Sequence, residues 1–117
     1  MGSDYRPLTL LLQDSQGRVV GGLCGKTEWG WLYVATLAVR EEYRNRGYGT
    51  RLLQAAEAEA LARGCHGAYL DTFSFQARPF YEKRGYQAFG ALEGFAGHTR
   101  YFMRKKLQVQ TPPSPRR

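Results

Sequence analysis

The segment Arg44-Asn45-Arg46-Gly47-Tyr48-Gly49-Thr50 has the residue types and spacing of a turn that binds anions. Gly47 and Gly49 carry no side chain, so a ligand can approach the backbone closely. If a helix begins here, its first N–H groups and its dipole favour a phosphate or pyrophosphate. Arg44 and Arg46 add positive charge at the same place. A glycine pair after a strand is equally typical of a structural helix start, so the turn alone leaves both interpretations open.

This turn differs from the two best-known phosphate loops. It lacks the Gly-Lys-Ser/Thr ending of a nucleotide-hydrolase loop. It also lacks the third glycine and the downstream acidic residue of a dinucleotide-binding fold. The anion-site interpretation gains from the two arginines, from the buried strand that precedes the turn, and from a second motif further along the chain.

The second motif, Gln76-Ala77-Arg78-Pro79-Phe80-Tyr81-Glu82-Lys83-Arg84-Gly85-Tyr86, is interpreted as a short helix that carries Phe80 and Tyr81 and stops at Gly85. Composition alone favours Phe80 and Tyr81 as core aromatics. The sequence contains no cysteine and histidine grouping with zinc spacing, because Cys24, Cys65 and two histidines are scattered. We therefore expect no metal site, and two reduced, structural cysteines.

The positive charge is concentrated at the C-terminus. The chain has a net charge of +7, but its first 99 residues hold 11 basic and 10 acidic residues, a net of +1. A nucleic-acid-binding domain would need basic and aromatic residues interleaved on one face. The nearly neutral body disfavours that class, so we expect no nucleic-acid partner.

The chain carries no run of ~18 apolar residues and no basic-then-apolar leader pattern. We therefore expect no membrane association and a cytoplasmic location. Residues 1–107 are predicted to form one α/β domain, and residues 108–117, which are rich in proline, a disordered tail.

The elements that must position the two motifs can be located from hydrophobic patterns. Leu8–Leu12 and Arg18–Gly25 predict a hairpin, and Trp31–Val39 predicts a buried central strand. A helix is predicted over Thr50–Arg63 and a parallel strand over Gly67–Phe73. A second helix near Gln76 and two strands, Tyr86–Leu92 and Thr99–Leu107, complete the order β-β-β-α-β-α-β-β in a mixed sheet.

Both motifs together resemble those of a known family. Arg44-x-x-Gly47-x-Gly49 is similar to the acetyl-CoA pyrophosphate motif of the GCN5-related N-acetyltransferases (GNAT), and the segment from Gln76 to Tyr86 is similar to their second motif. The resemblance covers roughly residues 8–106. It implies a mixed sheet whose central parallel strands, Trp31–Val39 and Gly67–Phe73, splay apart.

The resemblance also implies an activity and a cofactor site. Acetyl would pass directly from acetyl-CoA to a primary amine, with the pyrophosphate on the amides of Arg44 to Thr50. The pantetheine arm would bind the backbone of Leu37, Ala38 and Val39, and a backbone N–H near Leu37 would stabilise the thioester oxygen. Tyr81 matches the family's tyrosine that protonates the leaving thiolate. Gln76 is expected to contact the cofactor or to organise its loop.

The sequence departs from the family pattern in two respects. Members usually carry a strand and two helices before the first hairpin, where this sequence has only Met1–Pro7, so a homodimer is expected to cover part of the acceptor site. The base that accepts the amine's proton is also unassigned, with Glu28, Asp71 and a water chain as candidates. Trp29 and Trp31 are either core residues or neighbours of the acceptor.

A non-catalytic domain that binds or senses acyl-CoA is the alternative function. It is favoured by the short N-terminus and by the lack of an assigned base. Release of free CoA thiol in the presence of an amine would distinguish the enzyme from the sensor.

Overall fold

The computed structural model describes residues 4–73 and 77–108. They form a mixed six-stranded sheet in the order β1-β2-β3-β4-β6-β5 and two α-helices. The strands are β1 (Arg6–Gln13), β2 (Val19–Glu28), β3 (Trp31–Val39), β4 (Gly67–Thr72), β5 (Gln87–Glu93) and β6 (Thr99–Lys106). The helices are α1 (Tyr48–Ala62) and α2 (Ala77–Lys83). The element order predicted from the sequence is confirmed.

Helix α1 covers one face of the sheet. Leu52, Leu53, Ala56 and Ala60 are buried on it, because residues spaced three and four apart share one side of a helix. They pack with inward-facing strand residues such as Leu32, in a core to which each fully buried leucine contributes roughly 1.5–3 kcal/mol. The opposite face, which we call the open face, carries Trp31, Tyr33 and Tyr69, in contact with one another. It also carries Asp71 and Arg100.

Strands β3 and β4 are parallel neighbours for only part of their length. Their pairing runs from Trp31↔Gly67 to Val34↔Leu70 and then stops, although β3 continues to Val39. At this point the register between β2 and β3 shifts, because Cys24 pairs with Thr36 while Gly25 pairs with Val34. Ala35 is thus the extra residue of a β-bulge, which bends a strand and strengthens its twist.

Gly25 makes the bulge sterically possible. A Cβ atom at this position would overlap the carbonyl oxygen of Tyr33. With no side chain in the way, β2 follows the bent β3 closely while β4 stays with β6. The predicted splay between the central parallel strands is therefore present, and its physical cause is the bulge at Ala35.

The predictions about the membrane, the C-terminal tail and the domain limits can be compared only with the described residues. No helix within the described ranges is long and apolar enough to cross a membrane. The disordered tail expected at residues 108–117 lies, apart from Gln108, outside the described residues. Residues 4–107 include every described strand and helix.

Candidate active site

The turn between β3 and α1 presents its backbone amides outward. Asn45 and Gly47 adopt left-handed conformations, with φ values of 63° and 82°. Gly47 is the N-cap of α1, and apart from its own chain neighbours no atom of the described residues lies within 4 Å of the position that a Cβ would occupy there. The surface above the start of the helix is thus open to a ligand, with the positive end of the helix dipole beneath it.

Six consecutive amides of this turn, those of residues 45–50, are free to bind a ligand. Within the described residues, the first helical backbone bond is the one from the Arg51 N–H to the Gly47 oxygen, and no acceptor is found for the amides of residues 45–50. The Arg44 amide differs, because it donates to the Glu41 oxygen at 3.1 Å. Of the amides predicted to hold the pyrophosphate, those of Asn45 through Thr50 thus lack an acceptor within the described residues.

The two arginine side chains of the turn have different environments. Arg44 Nε donates to the Val39 carbonyl oxygen at 2.8 Å, so this side chain ties the turn to the end of β3. Arg46 lies over the ring of Tyr43, with 5.5 Å between the guanidinium carbon and the ring centroid. Both residues are exposed beside the free amides. A cation held near backbone donors strengthens an anion site.

The gap beyond Val34 and Leu70 exposes part of the β3 backbone. The Arg40 amide donates to Val20 on β2, and a Cβ on Gly21 would lie 2.9 Å from the Ala38 oxygen. Alternate residues of a strand direct their N–H and C=O groups to opposite sides. The backbone groups of Leu37 and Val39 therefore face the gap, and those of Ala38 face β2. Of the three residues predicted to bind the pantetheine arm, Leu37 and Val39 thus direct backbone groups toward the gap.

Helix α2 brings the second motif against the turn. A Cβ on Gly49 would lie 3.4 Å from the Phe80 ring, so this glycine permits the close packing of the two helices. Arg84 Nε donates to the Thr50 hydroxyl, and Arg84 Nη1 donates to the Phe80 oxygen, both at 2.8 Å. The two motifs, separated by about 30 residues in the sequence, are thus adjacent in the fold.

Tyr81 lies next to this junction in an apolar setting. Its ring contacts Phe80 and Tyr86 edge-on, with centroid separations of 5.1 and 5.8 Å. Burial raises the pKa of the Tyr81 hydroxyl above its ordinary value of 10.0. No hydrogen-bond partner for that hydroxyl occurs in residues 4–73 and 77–108. The phenol therefore keeps its proton at neutral pH and is available to donate it.

This arrangement of motifs is matched by a known family. Residues 3–86 match the model of the Acetyltransferase (GNAT) family. The chain belongs to the GNAT family.

Individual relatives support the same assignment. The GNAT chain is 44% identical over 90 residues to acetyltransferase Atu2258 of Agrobacterium fabrum, covering 77% of this chain and 66% of that protein. It is 37% identical over 94 residues to the blasticidin-S acetyltransferase of Streptomyces morookaense, covering 79% of this chain and 69% of the relative. The chain thus spans about two thirds of the length of these curated relatives.

A solved structure is similar over most of the fold. The crystal structure of an acetyltransferase from Bacillus cereus is 36% identical, with a TM-score of 0.84. The similarity covers 89% of this chain and 75% of the other. The GNAT-like mixed sheet inferred from the sequence is therefore confirmed.

The two candidate bases, Glu28 and Asp71, lie at different distances from the gap between β3 and β4. Glu28 ends β2, pairs with Lys26 at 3.2 Å, and lies opposite Trp31 at the start of β3. That position is about 20 Å along β3 from Leu37, at roughly 3.3 Å per residue. Asp71 follows Leu70, the last β4 residue paired with β3, and so lies where the strands separate.

Trp29 and Trp31 lie at the same end of the sheet as Glu28. Trp29 is 83% exposed in the turn between β2 and β3, and Trp31 packs edge-on against His66. Neither lies at the splay, so the expectation that they approach the acceptor is not supported by their position. Gln76, which was predicted to contact the cofactor or to organise its loop, lies outside the described residues.

A buried polar cluster behind Tyr81 was missed by the sequence analysis. Glu57 on α1 accepts a hydrogen bond from the Tyr86 hydroxyl at 2.8 Å and one from Lys105 Nζ at 2.9 Å. Burial raises the pKa of Tyr86, and the Glu57 charge raises it further. Glu57 falls on the buried stripe of α1, four residues after Leu53 and three before Ala60, at a position that an amphipathic pattern assigns to apolar residues.

The two cysteines and the metal-binding residue types bear on whether the site holds a nucleophile or a metal. Cys65 is buried, and burial raises the pKa of its thiol, which disfavours the nucleophilic thiolate. Cys24 is exposed and reduced. Within the described ranges, no group of three or more His, Cys, Asp or Glu residues is placed to hold a metal ion.

Proposed function

We propose that this GNAT chain is an N-acetyltransferase that moves acetyl from acetyl-CoA directly to a primary amine. One observation carries the proposal: a turn with six amides that lack an acceptor among the described residues leads into the gap between β3 and β4, and a protonated, half-buried phenol on α2 lies near that turn. This combination supplies an anion site, a slot for an extended ligand and a proton donor in one region.

The donor site fits the chemistry of CoA. The amides of Asn45 through Thr50, with Arg46 beside them, suit a pyrophosphate because amides and a guanidinium both donate to anionic oxygens. The backbone groups of Leu37 and Val39 that face the gap suit the amides of the pantetheine arm. When bound there, acetyl-CoA supplies an activated thioester.

The residues around the gap have distinct tasks in the transfer. The amine nitrogen forms a bond to the thioester carbon while the carbon–sulfur bond breaks, and the amine's proton leaves to solvent. The Leu37 N–H, facing the gap, is the donor we assign to the thioester oxygen as charge develops on it. Tyr81 gives its proton to the departing sulfur, and a positioned acid of this kind contributes about 10²–10⁴-fold.

A non-catalytic acyl-CoA-binding domain is the second candidate. The observation in its favour is that Asp71, the candidate base located at the gap, already accepts hydrogen bonds from Tyr33 and Arg100. To separate the two functions, the protein is mixed with acetyl-CoA and a panel of primary amines, and free thiol is measured. Amine-dependent thiol release supports the enzyme, whereas calorimetric CoA binding without any thiol release supports the sensor.

We also propose a homodimeric state and a cytoplasmic location for this chain. Strand β1 forms an edge of the sheet and exposes 60% of Leu11, so we propose that a second copy of the chain packs there as a homodimer. Light scattering that finds only monomers at micromolar concentration would contradict this. Both cysteines are free, which suits a reducing cytoplasm.

A further inference from the structure

Asp71 occupies the open face at the place where β3 and β4 separate. It directly follows Leu70, the last residue of the parallel pairing. Tyr33 donates to Asp71 Oδ1 at 2.9 Å, and Arg100 Nε donates to Oδ2 at 2.9 Å. These two contacts, from β3 and β6, hold the carboxylate at the edge of the gap.

The carboxylate keeps room for a further donor. An ionised carboxylate offers about four acceptor positions, and Tyr33 and Arg100 fill two of them. The Asp71 side chain is 14% exposed, so one side of it remains accessible. A ligand ammonium group is therefore a suitable third partner, because it carries donors and a compensating charge.

An apolar pocket shares Arg100 with this carboxylate. It has a volume of about 450 Å³, and its walls come from the end of β4 and the hairpin of β5 and β6. The lining residues are Phe73, Leu92, Glu93, Gly94, His98 and Arg100. Arg100 joins the pocket to Asp71, since its guanidinium also lies 5.5 Å from the Phe73 ring centroid. A volume of this size suits a small organic molecule.

The side chains of this pocket favour an apolar ligand with one positive charge. Phe73 and Leu92 are 61% and 57% exposed, so their apolar surface is accessible to a ligand. Asp71, Glu93 and Arg100 sum to a charge of −1 when ionised. In the described part of the chain, Glu93 forms no ion pair. A single ammonium group would balance this charge, whereas a carboxylate on the ligand would be repelled.

We infer that the acceptor of this chain is a monoamine with a compact apolar body. Its ammonium group binds Asp71 at the gap, and its apolar body packs on Phe73 and Leu92. Asp71 is thus a substrate-binding residue, and Leu92 determines specificity. The inference rests on the proposed N-acetyltransferase function and names the substrate class for that site.

The first test compares amines at a fixed, saturating concentration of acetyl-CoA. Thiol release is measured with 2-phenylethylamine, ethanolamine and putrescine, which differ in apolar body and in charge. We expect kcat/KM to be at least about tenfold higher for 2-phenylethylamine, because apolar contacts of this size typically discriminate by that amount.

Two variants, Asp71→Asn and Leu92→Ser, test whether these residues cause the preference for 2-phenylethylamine. Asp71→Asn should raise KM for 2-phenylethylamine by about ten- to a hundredfold, since a hydrogen-bonded charge is lost. CoA affinity, measured by calorimetry, should not change. Leu92→Ser should remove the preference for 2-phenylethylamine over ethanolamine. Val19→Ser is the matched control, because Val19 is also an exposed apolar strand residue, 50% exposed against 57% for Leu92, and lies on β2.

The possible outcomes are distinguishable. Thiol release with a preference for ethanolamine or putrescine would overturn the substrate class but leave the N-acetyltransferase function standing. An unchanged KM in Asp71→Asn would overturn the role of this carboxylate. The absence of thiol release with every amine would overturn both the inference and the proposed function.

Discussion

At the scale of single residues, the hydroxyl of Tyr81 separates a catalytic role from a packing role. Tyr81→Phe keeps the ring contacts with Phe80 and Tyr86 and removes only the proton donor. We expect kcat to fall about 10²–10⁴-fold, with unchanged CoA affinity. Equal rates for the variant and the parent would assign Tyr81 to the core.

The pH dependence of the parent rate is a second test of Tyr81. Since burial raises the pKa of Tyr81 above 10.0, the parent rate should not fall through loss of this proton between about pH 7 and pH 9.

Gly47 offers a test of the anion site with a closely matched control. Gly47→Val would place a branched side chain in the open space above the start of α1, where we propose the pyrophosphate binds. Gly64→Val is the control, since Gly64 also has a positive φ, 87°, and open space around its Cβ position. Both variants should lose about 1–3 kcal/mol of stability from backbone strain.

Only Gly47→Val should abolish CoA binding in calorimetry. Equal CoA affinities in the two variants would contradict the assignment of the turn. Gly49 is less suitable for this test, because a Cβ there would lie 3.4 Å from Phe80 and disturb the packing of α2 as well.

At the scale of elements, the buried Glu57 links α1 to β6 and to the start of β5. Glu57→Ala leaves Lys105 and the Tyr86 hydroxyl without their shared partner. We expect a loss of about 1–3 kcal/mol in the free energy of unfolding, because the buried Tyr86 hydroxyl loses its acceptor. The control is Glu59→Ala on the same helix, whose pair with Arg63 leaves Glu59 46% exposed and should cost about 0–1 kcal/mol. Urea unfolding that gives equal losses for the two variants would contradict this role.

The strands and helices show which features a sequence can reveal. Strand β3 was predicted with its observed limits, because an apolar run after the Trp29-Gly30 turn admits few alternatives. The bulge at Ala35 has no comparable signal, since it depends on how β2 and β3 pair. Contacts such as the one between Asp71 and Arg100 depend on the β4–β6 register, which joins residues far apart in the chain. The glycine turn and Tyr81 could be proposed from the sequence because their motifs are local, whereas the pocket that we propose for the acceptor is assembled from segments that are not adjacent in the sequence.

At the scale of the whole molecule, the buried Tyr86 predicts a loss of stability in alkaline solution. A tyrosine in the unfolded chain loses its proton near pH 10, whereas burial raises the pKa of Tyr86 in the folded state. Above about pH 10 the folded protein therefore binds more protons than the unfolded chain, so the free energy of unfolding falls as pH rises. The contribution is fully present below that pH.

Urea unfolding at about pH 8 and about pH 11 measures this dependence. Tyr86→Phe, although less stable at both values, should show a smaller fall between them, because it lacks the proton concerned. The same fall in parent and variant would show that other groups cause the alkaline loss.

Mass spectrometry of a quenched reaction with isotope-labelled acetyl-CoA tests the central claim, that acetyl passes directly to an amine at the gap between β3 and β4. We expect the label on the amine nitrogen, and an unchanged mass for the protein when the amine is left out. A labelled protein that later transfers its acetyl group, for example from the exposed Cys24, would contradict direct transfer. An amine that remains unlabelled while CoA binds would contradict the proposed reaction itself.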